Sequence, residues 1–359
     1  MYIAVYAIAK NEAAFARRWM DSMREADGVF VLDTGSTDGT PELLRSLGAV
    51  VREETVEPWR FDAARNRSLA TVPGSADLCV CTDLDEVFRP GWRDAMEKAW
   101  TAEMRRGRYR YVWRFTPEGR EDTVFYIDKA HSRHGWRWTH PVHEVLTWVG
   151  SGAEPPIRLL PGIQLEHYPD ESKSRAQYLP LLELSVREAP NDDRNMHYLG
   201  REYLYAHRWD DCIRTLQRHL ALPTATWRDE RCASMRYIAR AYMEKGDVTE
   251  AQRWYFRAIA ESPELREPWM DMAWLQYRQE NWDGVLYFTA AALALPETPE
   301  NYITESKNRG ALPHDLRSIA LWHTQRQVEA AGECRTALSF EPENARLRGN
   351  LALFERSML

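Results

Sequence analysis

The chain has 359 residues, which is long enough for two domains of ordinary size. Hydrophobic residues make up 44% of it and charged residues 28%, as in a globular protein, and the formal net charge is −7. Acidic and basic residues are spread along the whole sequence, which disfavours nucleic acid as a partner.

Membrane and secretion signals are not found in the sequence. The apolar runs all fall short of the roughly 18 residues that span a bilayer, and the N-terminus lacks a basic segment followed by a cleavable apolar one. The five cysteines lack metal-site spacing and fit reduced, buried thiols. These features predict a cytoplasmic protein without a transmembrane segment.

The first half alternates apolar runs with amphipathic stretches. Residues 1–8 (MYIAVYAI) and 29–33 (VFVLD) are nearly continuous in apolar character, which predicts strands that are covered on both faces. A helical pattern separates them, and further strand and helix patterns follow up to residue 80. This βαβαβ order predicts a mostly parallel, Rossmann-like sheet with right-handed crossovers.

Two carboxylates follow the apolar run at residues 78–80. Asp83 and Asp85 stand at i and i+2 where a buried strand ends, and ligands of α/β proteins bind at such an edge. Their hard oxygen atoms suit Mg²⁺ or Mn²⁺. The pattern predicts an Asp-x-Asp site for a nucleotide sugar, and the alternative is a solvated acidic turn.

Four motifs in this half resemble those of the family 2 glycosyltransferases of the GT-A fold. Residues 7–12 (AIAKNE) are similar to the family's "P-x-Y-N-E" edge, without its Pro and Tyr, and residues 31–40 (VLDTGSTDGT) to its "V-D-D-G-S-T-D-G-T". Residues 61–69 (FDAARNRSL) resemble its "G-x-A-x-A-R-N-x-G-L" helix, and residues 83–86 (DLDE) its "D-A-D-D/E". The resemblance implies a metal-dependent enzyme that uses a nucleoside-diphosphate sugar, with a UDP-sugar favoured.

The resemblance also implies roles for single residues. Asp85 would bind the metal, Asp83 would bind the metal or the ribose, and Arg65 would face the donor phosphates. The donor-binding residues implied at the strand edges and in the helix are Ala7, Glu12, Asp33, Arg65 and Asp83. Capping of a helix and of a turn is the alternative role of Glu12 and Asp33.

Residues 131–148 are unusually rich in His and Trp, which could supply an acceptor platform and a general base. Within them, HPVHE at 140–144 resembles the "V-H-E" motif that follows the Asp-x-Asp in a subgroup of these transferases. We therefore expect Glu144 to be the catalytic base and His143 to orient it or contact the phosphates. Asp122 and His140 stay open as alternative bases.

A last strand pattern ends at residues 166–169 (EHYP). His167 at this edge could complete the metal shell, and Lys173 and Arg175 in the following turn could neutralise phosphate. A helix start normally favours acidic residues, so two basic ones suit a bound anion, with a surface ion pair as the alternative.

Strand patterns end near residue 174. Ile238 and Met272 mark corresponding helix positions 34 residues apart, the period of tetratricopeptide repeats. The pattern predicts a GT-A domain over residues 1–173 and three to four repeat-like hairpins over 174–359. This arrangement resembles the sublancin-type S-glycosyltransferases and related bacterial glycan transferases. The repeats would bind an acceptor polypeptide or form a homodimer.

The residues and the resemblance together predict a metal-dependent, hexosyltransferase-like enzyme that acts on a polypeptide or saccharide with inversion, and retention stays open as the alternative. One alternative is transfer to modified DNA bases, which the Arg-rich strand pattern at residues 108–115 would support. The other is an inactive repeat scaffold that binds a nucleotide or a protein partner.

Overall fold

The computed structural model describes residues 1–116, 119–170, 176–296 and 301–357. The chain separates into two compact units, of which the first is Met1–Glu188 with a short later segment ending at Tyr302, and the second takes the rest from Ala189. The predicted limit at residue 173 lies outside the described residues and stays a prediction. No helix among the described residues is both long and apolar enough to cross a membrane.

The first unit alternates strands and helices up to residue 99 and then consists mainly of strands. Its strands are β1 (Ile3–Ala9), β2 (Gly28–Asp33), β3 (Val50–Glu53), β4 (Leu78–Cys81), β5 (Glu86–Phe88), β6 (Arg106–Phe115), β7 (Glu121–Ser132), β8 (Trp136–Thr139), β9 (Val145–Trp148) and β10 (Ile157–His167). Its helices are α1 (Ala13–Met23), α2 (Thr40–Ser46), α3 (Phe61–Thr71), α4 (Trp92–Ala99) and α5 (Tyr178–Glu188).

Eight of the strands form one sheet in the order β3-β2-β1-β4-β7-β6-β10-β5. The half built from β1 to β4 is parallel, and Ala9 of β1 lies opposite Asp33 of β2, so both strands end at the same edge. β7 runs antiparallel between β4 and β6. Strands β8 and β9 form a separate antiparallel pair. The predicted mostly parallel, Rossmann-like sheet is confirmed.

Apolar side chains cover both faces of this sheet. On one face, Trp19 and Met23 of α1 and Trp92 and Met96 of α4 are almost completely buried against the strands. On the other face, α3 and the β8–β9 pair form a second cluster around Trp138. Because both faces are covered, the central strands are apolar at nearly every position, as the sequence pattern predicted.

The second unit is helical throughout its described residues. Its α-helices are α6 (Asp193–Tyr205), α7 (Trp209–Ala221), α8 (Arg228–Glu244), α9 (Val248–Glu261), α10 (Arg266–Arg278), α11 (Trp282–Ala294), α12 (Ala311–His323), α13 (Gln327–Phe340) and α14 (Ala345–Arg356). They pack as successive hairpins, α6 with α7, α8 with α9, α10 with α11 and α12 with α13. Ile238 and Met272 are both fully buried at corresponding positions of α8 and α10. The predicted repeat-like hairpins are confirmed, and the described residues form four of the three to four that were predicted.

Candidate active site

A network of charged side chains, most of them buried, lies beyond the end of β4. The Nη2 atom of Arg65 in α3 donates to Asp83 Oδ1 at 2.9 Å, and its Nε donates to Glu144. The Arg65 and Glu144 side chains are 6% and 10% exposed, whereas that of Asp83 is 34% exposed. The geometry thus brings together three of the predicted site residues, from the helix motif, the Asp-x-Asp motif and the "V-H-E" motif.

Lys129 of β7 extends this network of charges on the other side of Asp83. Its Nζ atom lies 3.2 Å from Asp83 Oδ2 and 3.0 Å from Glu86 Oε1. Glu86 is 1% exposed, and it also accepts from the Tyr111 hydroxyl at 2.8 Å and from the backbone N–H of Asp83 at 2.9 Å. Glu86 therefore closes the turn between β4 and β5 and fixes the backbone of the Asp-x-Asp segment.

These contacts shift the ionisation of the network. Burial alone would raise the pKa of Asp83, but the positive charges of Arg65 and Lys129 outweigh it and lower that pKa. Burial would lower the pKa of Lys129, but Asp83 and Glu86 outweigh it and raise that pKa. Burial raises the pKa of Glu86 despite its cationic neighbour. Asp83 is thus a carboxylate held between two cations of the protein.

Asp85 faces a different partner. Its Oδ2 atom lies 3.3 Å from His167 Nε2, and its backbone C=O accepts from the N–H of Tyr168 at 2.8 Å. The other ring nitrogen of His167, Nδ1, lies 2.9 Å from the carbonyl oxygen of Trp113 and donates to it. Burial would lower the pKa of His167, but Asp85 outweighs it and the pKa is raised. Two of the three residues predicted to bind the metal therefore face each other, while the third, Asp83, lies between Arg65 and Lys129.

The loop after β2 holds Asp33 in an internal network. Asp33 is 1% exposed, and its carboxylate accepts from the N–H groups of Gly35 at 3.0 Å and Ser36 at 2.8 Å and from the Ser36 hydroxyl. These are the turn-capping contacts of its alternative role. A contact between Asp33 and a nucleoside stays a prediction.

The loop after β1 contains the other two predicted donor contacts. Glu12 precedes α1, and its backbone N–H donates to Thr40 Oγ1 at 2.8 Å. Ala7 is fully buried, and its carbonyl oxygen accepts from the Ser68 hydroxyl at 2.7 Å. Ala7 therefore forms part of the core beneath the edge.

The loop between β8 and β9 places Glu144 against α3. Asn66 makes two hydrogen bonds with the backbone of Trp138, through Nδ2 to the carbonyl oxygen at 2.8 Å and through Oδ1 from the N–H at 2.9 Å. The N–H of Phe61 donates to the carbonyl oxygen of Pro141 at 2.9 Å. Both contacts lie on the N-terminal side of the loop, and they fix it to the helix that carries Arg65.

Aromatic rings border this loop. His143 has a positive φ of 51°, and its ring lies 5.9 Å from that of Tyr178 in α5. Tyr178 also stacks on Phe61 with the ring centres 6.1 Å apart. Phe61 and Tyr178 lie outside the segment 131–148 in which the aromatic platform was predicted. The platform and the assignment of His143 as a partner of Glu144 both stay predictions.

The alternative bases occupy different surroundings. Asp122, near the start of β7, forms an ion pair with Arg114, and His140 lies in the β8–β9 loop with a positive φ of 75°. Lys173 and Arg175, the predicted phosphate contacts, lie outside the described residues. The arginines of β6 are engaged by acidic partners, Arg108 by Asp128 and Arg110 by Glu121.

Three contributors to this site were not among the predicted residues, namely Lys129, Glu86 and Asn66. Asn66 lies next to Arg65 in one of the sequence motifs, and Glu86 lies next to Asp85 in another. Their positions inside these motifs were the signal that could have identified both as site residues. Lys129 carries no local signal, since only the pairing of β7 beside β4 brings it to Asp83.

Sequence comparison relates part of the first unit to a known family. Residues 5–129 match the sequence family described as glycosyl transferase family 2. A protein of Rickettsia bellii described as an uncharacterized glycosyltransferase is 35% identical over 96 residues, which cover 26% of this chain and 31% of that protein. The chain thus matches about a third of the length of this relative.

Two solved structures illustrate the similarity of the chain to known folds. One is yeast Tom70, with 13% identity, 52% of this chain and 37% of the other covered, and a TM-score of 0.40. Another is a thermophilic TPR protein from Thermus thermophilus, with 18% identity, 49% and 88% covered, and a TM-score of 0.36. The family match thus lies within the first unit, and the helical hairpins of the second unit follow it along the chain.

Proposed function

We propose that this protein transfers a sugar from a nucleoside-diphosphate sugar, with a UDP-sugar favoured, to a polypeptide or saccharide acceptor, with inversion at the anomeric carbon. The family match of the first unit supports glycosyl transfer as its chemistry. The observation that carries the proposal is the placement of Arg65 between Asp83 and Glu144. It joins the residues expected to bind the donor to the residue expected to activate the acceptor.

The pair of Asp85 and His167 fits a divalent cation. His167 donates from Nδ1 to a carbonyl oxygen, and its Nε2 lies 3.3 Å from the Asp85 carboxylate, which raises the pKa of the ring. A divalent cation would displace the proton that Nε2 otherwise shares with Asp85, and the lone pair of the neutral ring would then bind the ion. A lone pair and an anion at that distance favour a cation between them. A nitrogen and an oxygen ligand suit Mn²⁺ better than Mg²⁺, which prefers oxygen alone. When bound, the ion would neutralise charge on the departing diphosphate.

The remaining catalytic and binding roles belong to side chains of the protein. Glu144 takes the proton of the acceptor nucleophile as it attacks the anomeric carbon, and Arg65 offers its guanidinium to the donor phosphates. Asp83 is kept ionised by its two cationic neighbours and so accepts hydrogen bonds from the ribose. In this arrangement one base and one stabiliser of the leaving group suffice for direct displacement.

The test begins with a thermal-shift screen of nucleotide sugars in the presence of Mn²⁺, followed by measurement of nucleotide release from the donor that binds. We expect release to stop with a chelator and in Asp85→Ala, while the folded structure is kept, because Asp85 lies at a strand edge. Full Mn²⁺-dependent release by Asp85→Ala would contradict the metal assignment. No response to any donor would favour a nucleotide-free scaffold.

The base is tested separately. Glu144→Gln keeps the shape and can still accept from Arg65 but cannot take a proton. We expect turnover to fall roughly 10²-fold or more with donor binding retained. Asp122→Asn is measured beside it as the competing variant, because it removes an alternative base that is also paired with an arginine, and we expect it to keep near-normal turnover. Near-normal turnover of Glu144→Gln at neutral pH would move the assignment to Asp122 or His140.

A further inference from the structure

Three helices of the second unit bring together an imidazole and two carboxylates. Asp193 begins α6, His219 lies in the last turn of α7, and Glu230 lies in the first turn of α8. One ligand atom from each lies within 4.8 Å of the other two. Across the described stretches of the chain, no other group of three or more His, Cys, Asp or Glu residues meets this criterion.

The imidazole of this group is buried, and one of its nitrogen atoms lies beside the Glu230 carboxylate. His219 is 0% exposed, and its Nε2 atom lies 3.4 Å from Glu230 Oε1. Among the described residues no hydrogen bond reaches this nitrogen. A completely buried ring nitrogen without a hydrogen bond is costly, so its position beside the Glu230 carboxylate, with Asp193 in the same group, calls for a ligand.

The opposite side of the ring is held in place. His219 Nδ1 lies 3.0 Å from the hydroxyl of Ser234, and the same hydroxyl lies 2.8 Å from His197 Nδ1. Ser234 and His197 are both almost completely buried. Ser234 has one proton and can donate it to one ring only, so the other ring must donate to Ser234.

This constraint allows two arrangements of protons. In the first, His219 donates from Nδ1 to Ser234, and Ser234 donates to His197, which leaves a lone pair on His219 Nε2. In the second, Ser234 donates to His219, and Nε2 carries a proton toward Glu230. The first is the arrangement of a metal-binding histidine, whose second nitrogen is oriented by a hydrogen-bond acceptor.

We propose that Asp193, His219 and Glu230 bind a Zn²⁺ ion that connects the first three helices of the second unit. One imidazole nitrogen and two carboxylate oxygens are a donor set that Zn²⁺ accepts, with water as the fourth ligand. The charge of the ion balances the two carboxylates, one of which, Glu230, is 5% exposed. Ca²⁺ and Mg²⁺ favour oxygen ligands and fit the imidazole less well.

The test uses the full chain without a histidine tag, in an Asp85→Ala background so that the pair in the first unit does not contribute. Chelator-treated protein is titrated with Zn²⁺ by calorimetry, and its melting temperature is followed. We expect one equivalent to bind in the second unit. We also expect the melting temperature to rise by about 5 °C or more once the free ion is 100-fold above Kd.

Isosteric variants identify the ligands. Asp193→Asn and Glu230→Gln should each weaken Zn²⁺ binding by at least about 100-fold, the upper limit seen when only an outer-shell partner is lost. Asp229→Asn is the matched control, because it removes one negative charge from the same turn of α8, and it should bind Zn²⁺ normally. X-ray absorption at the zinc edge should show one imidazole among oxygen ligands.

Two results would overturn the proposal. Equal Zn²⁺ affinity and stoichiometry in the parent chain and in Glu230→Gln would exclude Glu230 as a ligand. A melting temperature that does not respond to Zn²⁺ would mean that the cluster is a plain ion pair in which His219 carries a proton at Nε2. Both measurements are independent of glycosyl transfer, so the proposed function does not affect them.

Discussion

Acid is expected to destabilise the first unit through one buried histidine. His131 of β7 is 0% exposed, and its Nδ1 lies 2.8 Å from the carbonyl oxygen of Ser132, so Nδ1 must carry a proton. Nε2 then accepts from the Tyr6 hydroxyl at 2.7 Å, and the Tyr6 oxygen accepts from Trp138 Nε1 at 2.7 Å. A second ring proton would face the Tyr6 oxygen, and the Tyr6 proton would lose its acceptor.

The magnitude follows from the shifted ionisation. Burial lowers the pKa of His131 from 6.5 to about 4. Because the folded pKa lies below the unfolded one, the stability that the neutral ring contributes is present above pH 6.5 and is lost as the pH falls from there to 4. Between pH 7.5 and pH 5.0 this linkage removes about 2 kcal/mol from the free energy of unfolding, and about 3 kcal/mol once the pH is below 4.

The assay compares the wild type with His131→Gln, which cannot titrate in this range. Urea unfolding is measured for both at pH 7.5 and at pH 5.0, and the variant should lose about 2 kcal/mol less than the wild type across that interval. NMR titration of the His131 ring should show a midpoint near 4. Equal pH dependence of the two proteins, or a ring that titrates near 6.5, would refute the reasoning.

Two further predictions concern packing and buried charge. Lys129→Met should lower the free energy of unfolding by about 3–5 kcal/mol, because it leaves the buried Glu86 carboxylate without its cation, and adding Glu86→Gln should restore part of the loss. Urea unfolding checks this, and an unchanged single variant would show that the charges do not interact. Gly200→Ala should cost about 1–3 kcal/mol, since the added carbon would lie 2.2 Å from Leu216 Cδ2, a fully buried atom group. Gly332→Ala, an exposed helix position with nothing within 4 Å, is the control and should gain up to about 1 kcal/mol by the same measurement.

The residues at the carboxyl edge of the parallel half of the sheet could be predicted from the sequence, because the signal lies within each strand. Strands covered on both faces are apolar along their length, so the first polar residue after each run marks the point where the strand leaves the core. Asp33 ends β2, and Asp83 comes two residues after the end of β4. Parallel strands end at one edge, and the order of the motifs was therefore enough to assign both residues to that edge.

The partners of Asp83 could not be predicted in the same way. Lys129 reaches it because β7 returns antiparallel to β4, with Ser132 opposite Leu78. That pairing joins residues about fifty positions apart, and no local propensity determines it. The sequence likewise indicated Arg65 and Glu144 in separate roles, whereas their ion pair depends on how the β8–β9 loop lies against α3.

The position of that loop is determined by directional contacts rather than by apolar packing alone. Trp138 is held from two sides, its backbone by Asn66 and its indole N–H by Tyr6. A slip of β8 by one residue would turn the indole to the opposite face and break both sets of bonds. Apolar burial would tolerate a small shift, but these hydrogen bonds permit a single register, and in that register Glu144 meets Arg65. His131 accepts from the hydroxyl of Tyr6, which in turn accepts from Trp138, so His131 also contributes to the placement of the expected base Glu144.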